Sequence, residues 1–77
     1  MTEFPVFTGK KLLSLLEECG FIRSRQKGSH VFLRHPDGRA TVVPIHAGET
    51  IGPGLLSKIL RDTELSRKDL LKLLKKK

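Results

Sequence analysis

Two turn signals on either side of a short apolar run constrain the fold of this chain more than any other feature. The run is Val31-Phe32-Leu33; Gly28 precedes it and His35-Pro36-Asp37-Gly38 follows it. Proline at the second position and glycine at the fourth suit a type I turn. The pattern predicts three short antiparallel strands at 21–26, 30–35 and 39–44, the first half-buried, and Pro44 ends the third because proline cannot donate to a strand ladder.

Leucine-rich segments with helical spacing flank the predicted strands. A first helix runs from about Thr8, a plausible N-cap, to Cys19, and Gly20 supplies a left-handed end. A second begins with Gly52 as a possible cap and Pro53 in the first turn. A third follows Ser66-x-x-Asp69, which resembles a capping box. The apolar positions expected in the core are Leu12, Leu13, Leu15, Leu16 and Cys19, then Leu55, Leu56, Ile59 and Leu60, then Leu70, Leu71, Leu73 and Leu74.

The resulting order, α-β-β-β-α-α, predicts an α+β fold of the double-stranded-RNA-binding type. A three-stranded antiparallel sheet cannot stand alone, so the helices should cover one face and leave the other open. The 77 residues fit one domain, 1–77, with an N-terminal arm at 1–8 and a basic tail at 75–77. Phe4, Val6 and Phe7 of the arm are expected to pack on the body or to bind another chain.

Charge indicates the class of partner. The net charge of +7 favours nucleic acid first, an anionic membrane surface second and an acidic protein third. The segment 21–39 carries one acidic residue, Asp37, and five basic ones: Arg23, Arg25, Lys27, Arg34 and Arg39. The sequence shows neither a membrane-length apolar run nor metal-ligand spacing, so a cytoplasmic protein without metal is expected, with the single Cys19 as a small core hydrophobe.

Several short motifs, weak alone, form a strong joint pattern through their order and spacing. They are Cys19-Gly20-Phe21, Lys27-Gly28-Ser29-His30, His35-Pro36-Asp37-Gly38-Arg39, Val43-Pro44-Ile45-His46 and Gly54-Leu55-Leu56-Ser57-Lys58-Ile59-Leu60-Arg61. With these motifs the chain resembles the HicA (YcfA-type) toxins, mRNA interferases of bacterial toxin–antitoxin modules. It departs from them at Thr63-Glu64, where that family usually has Ala-Gly.

The resemblance implies a metal-independent endoribonuclease that needs no cofactor. Its essential residue would be the histidine of the Gly-Ser-His triplet, here His30. It also implies an mRNA substrate, single-stranded or structured, and a HicB-type antitoxin that binds and masks this histidine. No membrane partner is expected, and DNA would be contacted indirectly, through the antitoxin.

The residues around His30 suit cleavage of RNA by its own 2′-hydroxyl. An ordinary imidazole, with a pKa of about 6.5, can take a proton near neutral pH, so His30 is the candidate general base. Lys27, Arg34 or Arg25 would offset charge on the phosphate. Gly28 would let the sugar-phosphate approach the backbone and Ser29 could hydrogen-bond it.

The sequence does not fix a second acid. His35 and His46 are the candidates. His35 opens the turn, which favours a structural role or a minor RNA contact. His46 lies in the loop before the second helix, where loop packing and a supporting role are equally compatible with the sequence.

Two other functions remain open from the residues. The same basic sheet would serve a non-catalytic RNA-binding module, since one fold hosts several functions. A small DNA-binding protein is the third reading, although the chain lacks a helix-turn-helix glycine pattern and a basic recognition helix.

Overall fold

A computed structural model describes residues 6–46 and 49–76 of the chain. Its elements are α1 (Gly9–Glu18), β1 (Ile22–Lys27), β2 (His30–Arg34), β3 (Ala40–Pro44), α2 (Pro53–Thr63) and α3 (Arg67–Lys76). The predicted α+β class and the α-β-β-β-α-α order are therefore confirmed. The helix α3 continues into the segment assigned to a basic tail, whereas Phe4 and Lys77 lie outside the described residues.

The limits of α1 follow from its capping residues. The Thr8 hydroxyl accepts a hydrogen bond from the backbone N–H of Lys11 at 3.1 Å, as an N-cap does. At the other end Gly20 adopts φ +101°, and the Phe21 N–H donates to the Leu16 carbonyl at 3.1 Å. This return bond closes the helix end in a Schellman motif. The predicted start and end of the first helix are confirmed.

One face of α1 enters the core, as its spacing predicts. Leu12, Leu13, Leu15 and Leu16 are all buried. Cys19 is half-buried and packs against the same core, and burial raises the pKa of its thiol. Cys19 therefore behaves as the small core hydrophobe expected from the sequence.

The three strands form one antiparallel sheet with β2 in the centre. Val31 and Leu33 on β2 and Val43 on β3 are buried in the core formed with the helices. Because successive side chains of a strand point to opposite faces, His30, Phe32 and Arg34 lie on the other face. We call this second surface the open face.

The first strand differs from its prediction. It starts one residue later than expected, and all six of its side chains are exposed, so the prediction of a half-buried strand is wrong. Phe21, just before the strand, is buried in its place. The cause is twofold: α1 and α2 pack mainly on β3 at the opposite edge of the sheet, and the register of β1 with β2 shifts between Arg23 and Arg25.

Both C-terminal helices start as the sequence predicts. Gly52 caps α2 and Pro53 occupies its first turn. Before α3, the Ser66 N–H donates to the Asp69 carboxylate at 2.9 Å and the Asp69 N–H donates to the Ser66 hydroxyl at 3.1 Å. These reciprocal bonds confirm the capping box.

The buried stripes of these two helices are narrower than predicted. Leu55 and Leu71 are 36% and 37% exposed, so their assignment to the core is wrong, and Leu73 and Leu74 are partly buried. Thr63 is fully buried instead, and its hydroxyl donates to the Ile59 carbonyl at 2.8 Å. A threonine on a core-facing position is tolerated because this bond satisfies its hydroxyl.

The end of the N-terminal arm joins the body beside α2. Phe7 is buried, whereas Val6 is 70% exposed. The Ile51 N–H donates to the Phe7 carbonyl at 2.7 Å, and Thr8 forms an isolated antiparallel bridge with Thr50. The expectation that the arm packs on the body is confirmed for Phe7.

Candidate functional site

A tight turn between β1 and β2 places the residues on which the functional prediction rests. Lys27 and His30 face each other across the two strands, with Gly28 and Ser29 between them. Gly28 has φ +59°, and a glycine at the first central position is typical of the two-residue turns that match strand twist. Glycine is needed here for its backbone conformation, because the space around it is open.

His30 opens β2 and is exposed on the open face. Its register neighbours are Lys27 on β1 and Pro44 on β3. Pro44 carries no charge and no backbone N–H. Of the two residues paired with His30, Lys27 is therefore the charged one. The ring is accessible to a ligand from solvent.

The loop after β3 brings a second histidine to the same end of the sheet. The Ile45 N–H donates to the Ser29 carbonyl at 2.7 Å, which extends the β2–β3 pairing past the strand ends. His46 follows, and its Nε2 is hydrogen-bonded to the Ser29 hydroxyl at 3.1 Å. The His30 and His46 rings stand nearly perpendicular, with centroids 6.4 Å apart. This separation is too long for a direct hydrogen bond between the rings, so both rings can contact a third group that binds in front of them.

The bond between Ser29 and His46 is the feature that sequence reasoning missed. The sequence predicts that the Ser29 hydroxyl contacts the RNA backbone, and in the structure this hydroxyl is also hydrogen-bonded to the His46 ring. A signal for it existed in the hairpin register: once His30 pairs with Pro44, Ser29 must lie opposite Ile45, and His46 is the next residue.

The basic residues predicted to bind RNA do not lie together. Lys27 shares the row of His30, whereas Arg25 is opposite Phe32, with its Cζ 5.2 Å from the ring centroid. Arg34 is at the far end of β2, opposite Ile22 and Ala40. It lies four residue steps along the strand from His30, or about 13 Å. Lys27 is thus the predicted cation best placed to reach a group bound at His30.

Two other cations of the segment 21–39 have structural partners. Arg23 Nε donates to the Glu17 carboxylate at 2.9 Å, which ties β1 to α1. Arg39 Nε donates to Asp37 at 2.8 Å, and its NH1 donates to the Thr63 carbonyl. The bond from the Arg39 backbone N–H lowers the pKa of the Asp37 carboxyl group. These two arginines hold the sheet to the helices, so the basic surface is smaller than the composition suggests.

His35 lies away from this cluster. It follows the last residue of β2, where its half-buried ring packs edge-on against Phe21 at 5.0 Å between centroids. Its Nε2 is 3.2 Å from the Cys19 carbonyl oxygen, and a carbonyl accepts, so this nitrogen carries the proton. Its Nδ1 lies 3.0 Å from Asp37 Oδ1 and 3.2 Å from the Asp37 backbone nitrogen. These contacts support the structural role that its position in the turn predicts.

The described part of the chain contains neither a cluster of metal-ligating side chains nor a membrane-length helix. Among residues 6–46 and 49–76, the His, Cys, Asp and Glu side chains form no group of three that could hold a metal ion. Within the same ranges, no helix has the length and apolar character needed to cross a membrane.

Comparison with known proteins identifies a family for most of the chain. A family model described as the HicA toxin of bacterial toxin–antitoxin systems matches residues 9–65, from the first residue of α1 to just beyond α2. The matched range contains Lys27, Ser29, His30 and His46. No curated protein matches the chain.

Proposed function

The chain belongs to the HicA family of toxins from bacterial toxin–antitoxin modules, and we propose that it acts as an endoribonuclease that cleaves mRNA at a phosphate held beside His30. The observation that carries the proposal is the exposed pair of histidines at one end of the sheet, with ring centroids 6.4 Å apart and Lys27 opposite His30. The family match from 9 to 65 supports the toxin role. The two rings support the chemistry.

RNA supplies the nucleophile, so the protein needs only to move protons and offset charge. The 2′-hydroxyl oxygen attacks the neighbouring phosphorus as His30 accepts its proton. The bond from phosphorus to the 5′-oxygen then breaks, and that oxygen takes up a proton. The products are a 2′,3′-cyclic phosphate and a 5′-hydroxyl. Lys27 lies in the row of His30 and would offset the charge that grows on the phosphate oxygens.

His46 is our candidate for the group that protonates the leaving 5′-oxygen. Its ring lies next to that of His30, and its hydrogen bond to Ser29 holds the ring in place. A base and an acid on opposite sides of a phosphate suit a displacement in which the entering and leaving oxygens are in line. Of the two candidates named from sequence, His35 lies about 16 Å along the strand direction from His30, judged by strand rise, and has turn contacts of its own.

The partner of a toxin in such a module is an antitoxin, and we propose a HicB-type protein that covers His30. A protein with net charge +7 and an exposed lysine beside its site suits a partner with an acidic patch. In the complex, His30 should lose solvent access. A complex in which purified toxin still cleaves RNA at its free rate would contradict this part of the proposal.

The activity itself is tested with purified protein, mixed-sequence RNA and EDTA. We expect fragments that end in 2′,3′-cyclic phosphate and 5′-hydroxyl groups. The control is the same RNA with 2′-deoxy nucleotides at the observed cleavage positions, which should stay intact because it lacks the nucleophile. Cleavage of the deoxy substrate, or no cleavage of RNA with retained binding, would refute the proposal. The second outcome would favour a non-catalytic RNA-binding module.

A sulfur-substituted substrate separates the roles of the two histidines. Replacing the bridging 5′-oxygen with sulfur creates a thiolate leaving group, which departs without a proton because thiols are far more acidic than alcohols (pKa about 8.5 for cysteine). We expect the His46→Gln protein to cleave normal RNA about 100-fold more slowly than wild type. The same protein should cleave the sulfur substrate at close to the wild-type rate. His30→Gln should stay slow on both. Equal defects of His46→Gln on the two substrates would refute its assignment as the acid.

A further inference from the structure

A groove on the open face begins one row of residues beyond His30. Its volume is about 430 Å³, and its lining includes Ser24, Arg25, Phe32, Ala40, Val42 and Asp62. Phe32 is the second residue after His30 on β2, so the two side chains share a face and their Cα atoms are about 6.6 Å apart. Nothing in the proposed cleavage chemistry uses this groove.

The middle of the groove offers flat and apolar surfaces. Phe32 lies between Arg25 on β1 and Val42 on β3 in the register of the sheet. The Arg25 guanidinium stands over the Phe32 ring, 5.2 Å from Cζ to centroid. Unpaired bases of RNA stack on aromatic rings and on arginine planes, and a strand aromatic flanked by basic residues is the usual platform for such stacking.

The charged residues of the groove are Asp62, Arg25 and Arg34. The Asp62 carboxylate accepts hydrogen bonds from Thr41 Oγ1 at 3.1 Å and from Lys58 Nζ at 3.0 Å, and it lines the groove. Asp62 is an acceptor that suits the exocyclic amino group of a base, and Arg25 and Arg34, which also line the groove, suit the phosphate attached to that nucleotide. The apolar surface around Phe32 is the part of the groove that fits the ring system of a base.

We propose that this groove is a base-binding subsite, which holds one unpaired RNA base against Phe32 and Arg25 next to the phosphate at His30. The inference rests on the proposed ribonuclease function for its substrate and adds that the substrate is single-stranded at this nucleotide. A base inside a duplex is already stacked and paired, and its flat surfaces are unavailable to Phe32.

Binding of an RNA that cannot be cut tests the subsite separately from cleavage. The probe is a short, fluorescent, fully 2′-O-methylated single strand of mixed sequence, with Kd measured by anisotropy. We expect Phe32→Leu to raise Kd about 5- to 50-fold, in line with loss of one stacked base. Leu71→Ala is the matched control, since it removes a partly exposed apolar side chain on α3, and should leave Kd within about twofold of wild type.

A second measurement uses the wild-type protein, so it does not depend on how well a variant folds. An abasic nucleotide is placed at each position of the probe in turn. At least one position should lose about as much affinity as Phe32→Leu causes, and that loss should vanish in the Phe32→Leu protein. A flat abasic series, an unchanged Kd for Phe32→Leu, or tighter binding of the matching duplex would overturn the subsite.

The outcomes for the two proposals remain distinct. Base-dependent binding without cleavage of ordinary RNA would uphold the subsite and refute the ribonuclease. Cleavage of ordinary RNA together with base-independent binding would uphold the ribonuclease and refute the subsite.

Discussion

A single methyl group at Gly9 tests how closely α1 approaches the end of β3. Gly9 is the first residue of α1 and is buried. A Cβ atom there would lie 2.0 Å from the Pro44 carbonyl oxygen and 3.0 Å from the Ile45 Cα atom. Both are backbone atoms, which cannot rotate away as a side chain does, so Gly9→Ala must push the helix and the strand apart.

The expected magnitude is a difference of two effects. Overpacking a core costs about 1–3 kcal/mol. The upper half of this range is expected here because the added Cβ atom would contact backbone atoms. Alanine in place of glycine in a helix returns up to about 1 kcal/mol. The net loss in free energy of unfolding is then about 1–2 kcal/mol, which for a domain of this size lowers Tm by roughly 5–15 °C.

The control is the same substitution at Gly54, the second residue of α2, where an added Cβ has no heavy atom within 4 Å. Gly54→Ala should raise stability by up to about 1 kcal/mol. Thermal melts followed by circular dichroism give both values. Because Ile45 precedes His46, Gly9→Ala should also slow RNA cleavage more than Gly54→Ala does. Equal stabilisation by both substitutions would refute the close approach of α1 to β3.

Three further outcomes follow from the helix ends. Glu64 has φ 58° after α2, a left-handed conformation, so Glu64→Gly should stabilise the protein by about 1 kcal/mol in urea titration; a loss would contradict the backbone argument. Ser66→Ala removes the cap of α3 and should cost about 1 kcal/mol in the same assay, and an unchanged midpoint would count against the capping box. The hydrogen bond from the Ser66 N–H lowers the pKa of the Asp69 carboxyl group in the folded protein. The ionised Asp69 therefore stabilises the fold fully above the ordinary carboxyl pKa of about 3.9, and this contribution is lost as the pH falls through the lower folded-state pKa. The Asp69→Asn protein should therefore have a lower Tm than wild type near neutral pH, and the difference in Tm should shrink in acid. A difference in Tm that grows in acid would contradict this role of Asp69.

The sequence predicted the elements best where local chemistry decides the structure. Thr8, Gly20, the turn at 35–38 and the Ser66-Asp69 box each act on neighbouring residues, and each was found as predicted. The helix stripes were less accurate because the face that is buried depends on how a helix is rotated against its neighbours. For this reason Leu55 is exposed although it was expected in the core, and Thr63 is buried although it was not.

The site was predictable in part. The position of His30 on the open face of β2 follows from alternation along that strand, and its side chain is exposed in the structure. The charge cluster was less informative, since Arg23 and Arg39 are engaged by Glu17 and Asp37. The bond between Ser29 and His46 depends on pairing beyond the end of β3, and periodicity within one segment does not report such a contact.

The departure at Thr63-Glu64 also has a physical consequence. The buried hydroxyl of Thr63 donates a hydrogen bond to the Ile59 carbonyl. Glu64, a residue with a side chain, adopts a left-handed backbone conformation. Glycine, usual in the family at the second position, would adopt this conformation at lower cost. The junction between α2 and α3 is therefore formed in this chain despite an unfavourable residue.

Cleavage of RNA by the His30→Ala protein is the most direct test of the account. His30 is exposed at the start of β2, so its replacement should leave the fold and RNA binding close to wild type. We predict that cleavage falls by about 10²- to 10⁴-fold, as expected for loss of a general base, while Tm and the Kd for uncleavable RNA hardly change. Cleavage by His30→Ala at the wild-type rate would contradict the central claim that this imidazole accepts the proton of the 2′-hydroxyl.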